Sequence, residues 1–275
     1  MDSDYSPLTT HHSSLTMIHW LIQSAAAHPD LALGLSSPAG LLTPAEEARF
    51  EALKTDKRRR DWLLGRWTAK QLLQTVLAAK MGQPPSWQTI TIHNQLNGAP
   101  VARYHHPLDK PLPLLPDWFT LSISHAGDHA FCALVEQPDW PLGADIEQIM
   151  PRAAVFVSDY FTPAEQALLE QSPPEHYPML VTAIWSAKEA ALKALQLGLT
   201  VDTRAVACLI APVAEPPQAW TPFAIELNRE MLVGKLPPPL APPRRGELRL
   251  EGWWQTIPGY VLTLAAAPWE VVSRQ

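Results

Sequence analysis

Cysteine is nearly absent: Cys132 and Cys208 are the only two in 275 residues. Two thiols cannot build a disulfide framework or a zinc cluster, so a reducing compartment is expected. No apolar run approaches the ~18 residues a membrane-crossing helix needs. The first fifteen residues are polar and carry no basic segment ahead of the apolar stretch at 17–22. A soluble, cytoplasmic protein with no membrane partner is the expectation. Charged residues are sparse, at 17%, and the excess is acidic, a net charge of −6. That balance argues against a general nucleic-acid binder. Also missing are Gly-x-x-x-x-Gly-Lys-Ser/Thr, Gly-x-Gly-x-x-Gly and His-Glu-x-x-His, so no P-loop, dinucleotide or zinc-hydrolase site is spelled out. The doublets His11-His12 and His105-His106 lack Cys or His partners at ligand spacing and read as surface histidines.

What is present is apolar and proline-rich. Apolar residues make up 47% of the chain, enough for a sizeable core, and 29 prolines imply long or stiff loops. Three segments recur in the same order. Thr43-Pro44-Ala45-Glu46 returns as Thr162-Pro163-Ala164-Glu165, and Trp67-Thr68-Ala69-Lys70-Gln71 returns as Trp185-Ser186-Ala187-Lys188-Glu189. The run 130–135 resembles 260–265. Collinear repeats at similar spacing predict two similar, pseudo-duplicated α+β lobes, an N-terminal one over 16–137 and a C-terminal one over 138–270, joined near 137–141. In each, Thr-Pro-x-Glu marks a helix start: Thr as N-cap, Pro at the first helical position, Glu closing a capping box. The Trp-x-x-Lys segments sit in long helical patterns; in the second, Ile184, Leu192 and Leu195 share a stripe and Gly198 offers a stop. Strand-like runs cover 89–93, 119–124, 130–135, 206–210, 223–227, 247–253 and 260–265. The stretch 236–243, with five prolines in eight residues, reads as a stiff spacer.

Four segments could carry chemistry. In Gly143-Ala144-Asp145-Ile146-Glu147 an extended chain points Asp145 and Glu147 to one face. Paired carboxylates repel, so a cation should join them, and oxygen-only ligands favour Mg2+ or Mn2+ over zinc. A solvent-facing acidic strand end would look the same. In Trp185–Lys193, Glu189 and Lys193 share a helical face with Trp185, which suggests that this face packs inward; an ordinary Glu-Lys helix pair is the plain alternative. In Leu121-Ser122-Ile123-Ser124-His125-Ala126-Gly127 a strand runs into a turn. Ser124 and His125 suit a phosphate better than a nucleophilic pair, because neighbours on a strand do not face each other and no Gly-x-Ser-x-Gly is present; a turn histidine is the alternative. Finally, eight Lys/Arg lie between Arg49 and Lys70 against three acids, a local excess of five. A basic stretch on an acidic protein suggests a polyanionic ligand or an acidic partner, against a merely solvated helix face.

Ser124-His125-Ala126-Gly127, Gly143-Ala144-Asp145-Ile146-Glu147 and Trp185-Ser186-Ala187-Lys188-Glu189-Ala190-Ala191-Leu192-Lys193 together resemble the ordered motifs of the 4′-phosphopantetheinyl transferases. The resemblance spans about 41 to 268, and the length is similar to the larger two-lobe class. It implies a holo-[acyl-carrier-protein] synthase activity: Mg2+-dependent transfer of phosphopantetheine from coenzyme A, the co-substrate, to a serine of an apo acyl or peptidyl carrier protein. It further implies one active site between the lobes of a monomer. Asp145, Glu147 and Glu189 would hold Mg2+, or Mn2+ in its place. Glu189 would take the serine proton, directly or through water, and Lys193 would neutralise the departing phosphate. Ser124, His125, Lys188 and Lys193 would meet CoA, with His125 also among the catalytic candidates. Arg49 and Arg58 or Arg60 look like the receivers of the 3′-phosphate, and Gly98-Ala99-Pro100 resembles the family's Gly-Lys/Arg-Pro turn.

Two departures stand out. Ala99 replaces a basic residue, and Glu46 stands where relatives carry a Lys, so Arg103, Arg58 or Arg66 would have to compensate. Those losses prompt a second reading, a catalytically weak module that binds carrier protein. A third is another Mg2+-dependent nucleotide pyrophosphate enzyme. The intact Asp145, Glu147, Glu189 and Lys193 set favours an active transferase over the second, and the Ser-His-x-Gly motif favours it over the third.

Overall fold

The computed structural model describes residues 18–27, 31, 36–105, 119–237 and 248–268. The chain forms two compact units, Met1–Asp139 and Trp140–Gln275. Both are α+β, and each has a long helix across an antiparallel sheet. His11-His12, His106 and 238–243 of the proline-rich stretch lie outside the described residues.

In the first unit β1 (His19–Ser24), β4 (Thr120–Ala126) and β5 (His129–Val135) form a sheet ordered β1-β5-β4. β5 is central, so its continuous apolar run is buried throughout, and Ala130 to Val135 are sealed from solvent. Between β1 and β4 come α1 (Pro44–Glu51), α2 (Asp56–Met81) and the hairpin of β2 (Ile90–Asn94) and β3 (Pro100–Tyr104). α2 starts where the Thr55 side chain accepts the Arg58 N–H at 3.3 Å. It stops at Gly82, whose φ of 75° lets its N–H close on the Ala78 carbonyl at 2.9 Å. Ala69, Leu72, Leu73, Val76 and Leu77 recur at helical spacing and pack with Leu21, Leu121, Cys132 and Leu134 of the sheet.

In the second unit the sheet is ordered β6-β10-β9-β8-β7. Its strands are β6 (Leu142–Gln148), β7 (Val206–Leu209), β8 (Thr221–Leu227), β9 (Glu251–Ile257) and β10 (Tyr260–Ala266). Two short helices, α3 (Ala154–Tyr160) and α4 (Pro163–Glu170), precede α5 (Tyr177–Ala194), which lies on β6 and β10. The buried face of α5 is rich in alanine, with Ala183, Ala187, Ala190, Ala191 and Ala194 all at or near zero exposure. Small side chains let helix and sheet approach closely, and at Gly143 they nearly touch: a Cβ there would stand 1.8 Å from the Ala190 carbonyl oxygen. α5 ends before Gly198, because Leu195 caps it and Gln196 takes a φ of 56°.

Both Thr-Pro-Ala-Glu segments open helices, and both glutamates do more than cap. The Thr162 N–H donates to Glu165 Oε2 at 2.7 Å, and the Thr43 N–H to Glu46 Oε2 at 3.0 Å. Each carboxylate then meets a lysine of the long helix. Lys70 donates to Glu46 at 2.5 Å and to the carbonyls of Leu41 and Trp87. Lys188 donates to both Glu165 oxygens at 2.8 Å and to the Val206 carbonyl at 2.6 Å. Each glutamate finally accepts a strand N–H, from Ile92 at 3.0 Å and from Cys208 at 2.7 Å. Every ammonium donor and every carboxylate oxygen of these buried ions is thereby engaged, which is the condition for keeping charge inside a core.

Several boundaries differ from the sequence expectation. β1 and β3 were not expected as strands. Pro100 belongs to β3 as its first residue, opposite Asn94, a position where a missing N–H costs no ladder bond. The turn before it is made by Gly98, with a φ of 88°, whose N–H reaches the Gln95 carbonyl at 2.9 Å.

Candidate metal centre

The close approach at Gly143 sets α5 directly over β6. Asp145, two residues on, is 1% exposed. Its Oδ2 accepts from Ser186 Oγ at 2.7 Å and its Oδ1 from Lys193 Nζ at 2.6 Å, both on α5. Ser186 Oγ is also 2.8 Å from Thr263 Oγ1 on β10, and Lys193 donates to the Ala144 carbonyl at 3.2 Å. Strand alternation sends Ile146 to the opposite face and returns Glu147 to that of Asp145. Glu189, one helical turn before Lys193, completes the group. Asp145, Glu147 and Glu189 each offer one carboxylate oxygen, and these three atoms lie within 4.8 Å of one another.

Three carboxylates this close repel. Burial, then the charge of Asp145, pushes Glu189 up to about 7; Lys193 and Arg152 oppose the shift and Glu147 adds to it. Glu147 is also raised, by burial first and Asp145 second, against Arg152, Lys193 and a hydrogen bond from Trp185. A site in which burial and a neighbouring carboxylate hold Glu147 and Glu189 against ionisation, and which offers only oxygen donors, fits a hard divalent cation such as Mg2+.

The sequence reading missed Arg152. Its Nη2 lies 3.1 Å from Glu147 Oε2, and its guanidinium carbon lies 5.0 Å from the centre of the Phe156 ring. It sits in the loop beyond β6, five residues from Glu147, where no strand or helix period links the two. A lone Arg beside Pro151 gives no signal of its own.

The remaining candidates lie on the first unit. Ser124 and His125 lie near the end of β4, opposite Phe131 and Ala130; Ser124 is 8% exposed and His125 exposed. Successive strand positions put them on opposite faces, which removes the nucleophile–base reading. The turn that follows uses Gly127 at a φ of 57° and is tied to β1 by Ser24 Oγ donating to Asp128 at 3.0 Å. Arg49 and Arg58 are exposed, Arg60 is half-exposed beside Asp61, and Gly98 and Pro100 sit at the β2–β3 turn.

The basic stretch is thinner than its count suggested. Lys70 is sealed against Glu46, and Arg59 Nε donates to the Leu53 carbonyl at 2.9 Å. Arg66 is 5% exposed, over the Trp62 ring and bonded to Asn94 Oδ1 at 2.8 Å. The excess of five is therefore not one solvent-facing patch. Two expectations need correction. Lys188 is fully buried, with all three ammonium donors taken by Glu165 and Val206, so it is a structural cation and not a coenzyme contact. Glu46 is not a lost nucleotide contact, since it holds the place in the first unit that Glu165 holds in the second.

Residues 141–230, which contain Asp145, Glu147, Glu189 and Lys193, match the family model of the 4′-phosphopantetheinyl transferase superfamily. The 4′-phosphopantetheinyl transferase of Bacillus subtilis is 31% identical over 90 residues, 33% of this chain and 38% of that protein. The 4′-phosphopantetheinyl transferase psf-1 of Bacillus pumilus is 30% identical over 138 residues, 50% of this chain and 51% of that protein. The chain thus spans about half or less of these two relatives. Among solved structures, a Chronobacterium ammoniagenes ACPS-CoA complex is similar to 46% of this chain and 98% of its own, at 20% identity and a TM-score of 0.36.

Proposed function

We propose that this chain, a member of the 4′-phosphopantetheinyl transferase superfamily, moves the 4′-phosphopantetheine group of coenzyme A onto a serine of an apo acyl or peptidyl carrier protein. The observation that carries the reading is the convergence of Asp145, Glu147 and Glu189 within 4.8 Å, with Lys193 on Asp145, inside the stretch that matches the family. Asp145, Glu147 and Glu189 would hold Mg2+, or Mn2+, which when bound supplies charge neutralisation to a pyrophosphate. In the transfer the serine Oγ forms a new bond to the β-phosphorus of CoA. The bond from that phosphorus to the bridging oxygen breaks, and adenosine 3′,5′-bisphosphate leaves. The serine proton would go to Glu189, directly or through water, the carboxylate acting as general base. Lys193, on the same helix face, offers its ammonium to charge that builds on the leaving phosphate.

The two units are the lobes of this enzyme in our reading. Ser124, His125, Arg49, Arg58, Arg60 and the Gly98–Pro100 turn, all of the first unit, would be its candidate CoA contacts. The protein acts as a monomer in the cytoplasm; no helix among the described residues is long and apolar enough to cross a membrane. The test is incubation with CoA, Mg2+ and several apo carrier proteins, read by mass spectrometry for the added phosphopantetheine. No mass shift on any carrier would sink the proposal.

A further inference from the structure

Glu147 stands apart from the other two carboxylates in how it is held. Asp145 is fixed by α5 through Ser186 and Lys193. Glu147 lies near the end of β6 and is half-buried. Its partners form a closed ring. Arg152 Nη2 donates to Oε2 at 3.1 Å, and the guanidinium carbon lies 5.0 Å from the Phe156 ring centre. Phe156 meets Trp185 edge-on, with ring centres 4.9 Å apart, and Trp185 in turn acts on the Glu147 carboxylate, lowering its pKa against the effect of burial. The ring joins the strand end, the loop after it, α3 and α5. Each member restrains the next: the planar guanidinium stacks on an aromatic face, and the indole offers a single N–H in a fixed direction.

We propose that Arg152, anchored on Phe156 and acting with Trp185, is a positioning residue that orients Glu147 as a metal ligand. A carboxylate has about four lone-pair sites, so the Arg152 donor leaves room for a cation. Metal-ligating carboxylates are themselves held by hydrogen bonds, and loss of such a partner typically costs about 10–100-fold in metal affinity. The inference rests on the reading of Asp145, Glu147 and Glu189 as the metal centre, and it deepens that reading.

The sign of the effect separates positioning from bulk charge. Arg152 is a cation beside a site meant for a cation. If it acted through charge alone, or merely occupied the metal's place, its removal would tighten divalent binding. If it orients Glu147, its removal weakens binding although the site becomes more negative.

The experiment is calorimetric titration of the purified full chain with Mn2+ alone, without CoA or carrier, so activity is not the readout. Arg152→Ala should weaken Mn2+ binding about 10–100-fold. Arg152→Lys keeps the charge but not the planar fork and should recover only part of that loss. Trp185→Phe keeps the ring contacts and removes one donor, and should weaken binding by less. In a Glu147→Gln background Arg152→Ala should have no further effect, since the coupling runs through that carboxylate. Thermal unfolding confirms that each variant is folded; if Arg152→Ala is not, Arg152→Lys decides by the same criteria. Unchanged or tighter Mn2+ binding, or full loss in the Glu147→Gln background, overturns the positioning role and leaves the metal centre standing, provided Asp145→Ala abolishes binding. If the unmodified chain binds no Mn2+, the metal centre itself fails and this inference with it.

Discussion

The two units keep the same strut and differ in the same three places. In each, a capping-box glutamate, Glu46 or Glu165, is buried against a lysine of the long helix, Lys70 or Lys188, and takes a strand N–H. The sheets can be compared residue by residue. Trp20 pairs with Ala133 and Ile22 with Phe131. Asp145 pairs with Thr263 and Glu147 with Val261. The run 130–135 corresponds to 260–265, so Trp20 and Ile22 occupy the first-unit positions of Asp145 and Glu147. On the helices, Gln71 occupies the position of Glu189. One unit holds three carboxylates where the other holds an indole, an alkyl chain and an amide. The frame is present twice and, among the described residues, the acidic cluster once, so frame and cluster are separable, and separate substitutions should show it.

The largest effect should come from Glu189. On the proposed roles, Glu189→Gln keeps the shape and removes both the charge and the proton acceptor, so kcat should fall about 10²–10⁴-fold. High Mg2+ should not restore it, whereas Asp145→Ala should be partly rescued by added metal. The reciprocal change Gln71→Glu should leave transfer kinetics and the stoichiometry of metal binding unchanged, because Trp20 and Ile22 supply no further ligands. Full rescue of Glu189→Gln by Mg2+ would reduce Glu189 to a ligand and move the base elsewhere.

Breaking the strut should cost the two units alike. Glu165→Ala leaves the Lys188 ammonium buried without a counter-ion, and Glu46→Ala does the same to Lys70, so each should lose about 3–5 kcal/mol in chemical denaturation. Replacing Glu165 and Lys188 together by apolar residues of similar volume should recover most of the loss. A strut that mattered in one unit only would show as a loss confined to one of the two single variants.

Gly143→Ala tests the close approach that only the second unit uses to place its acids. The new Cβ would meet backbone at Ala190, which cannot swing aside as a side chain can. Overpacking of this kind costs typically about 1–3 kcal/mol. Metal affinity should fall with stability, because any retreat of α5 carries Glu189 away from Asp145 and Glu147. An unchanged Mn2+ titration would show that the site tolerates a looser helix.

Much of this was legible in the sequence because it is local. Thr-Pro-Ala-Glu fixes both helix starts within four residues, and alternation at Asp145-Ile146-Glu147 places two acids on one face. Gln71 against Glu189 can be read once the repeats are aligned. What was not legible depends on partners distant in the chain. Lys188 is three residues from Trp185 and next to Glu189, so it reads as a site cation; its burial follows from Glu165, 23 residues upstream, and Val206, 18 downstream. Arg66 reads as a surface base until Trp62 and Asn94 enclose it. β1 shows no clean alternation because, in the sequence His19–Ser24, polar and apolar residues do not take turns. Arg152 needed the fold to bring Phe156 and Trp185 around it.

The pH response of Glu189 is the effect most specific to the second unit. Glu189 holds its proton up to about 7 in the folded chain, well above the ordinary carboxylate value it regains on unfolding. A raised carboxyl pKa means that between the two values the folded state binds more protons than the unfolded one. The Glu189 contribution is therefore fully present below the ordinary carboxylate range, declines as pH rises toward about 7, and is gone above it. Metal-free second-unit stability should show this decline, and Gln71, which does not titrate, should give the first unit none. Saturating Mg2+ should abolish it, because the cation takes the place of the proton. The cation should also stabilise the second unit by mass action, about 2.7 kcal/mol at a hundred times its Kd. Amide exchange followed at pH 5.5 and 7.5, with and without Mg2+, resolves the two units in one sample. The comparison breaks if α2 and α5 respond equally to pH and metal, and it sharpens if only α5 and β6 gain protection from Mg2+ at the higher pH.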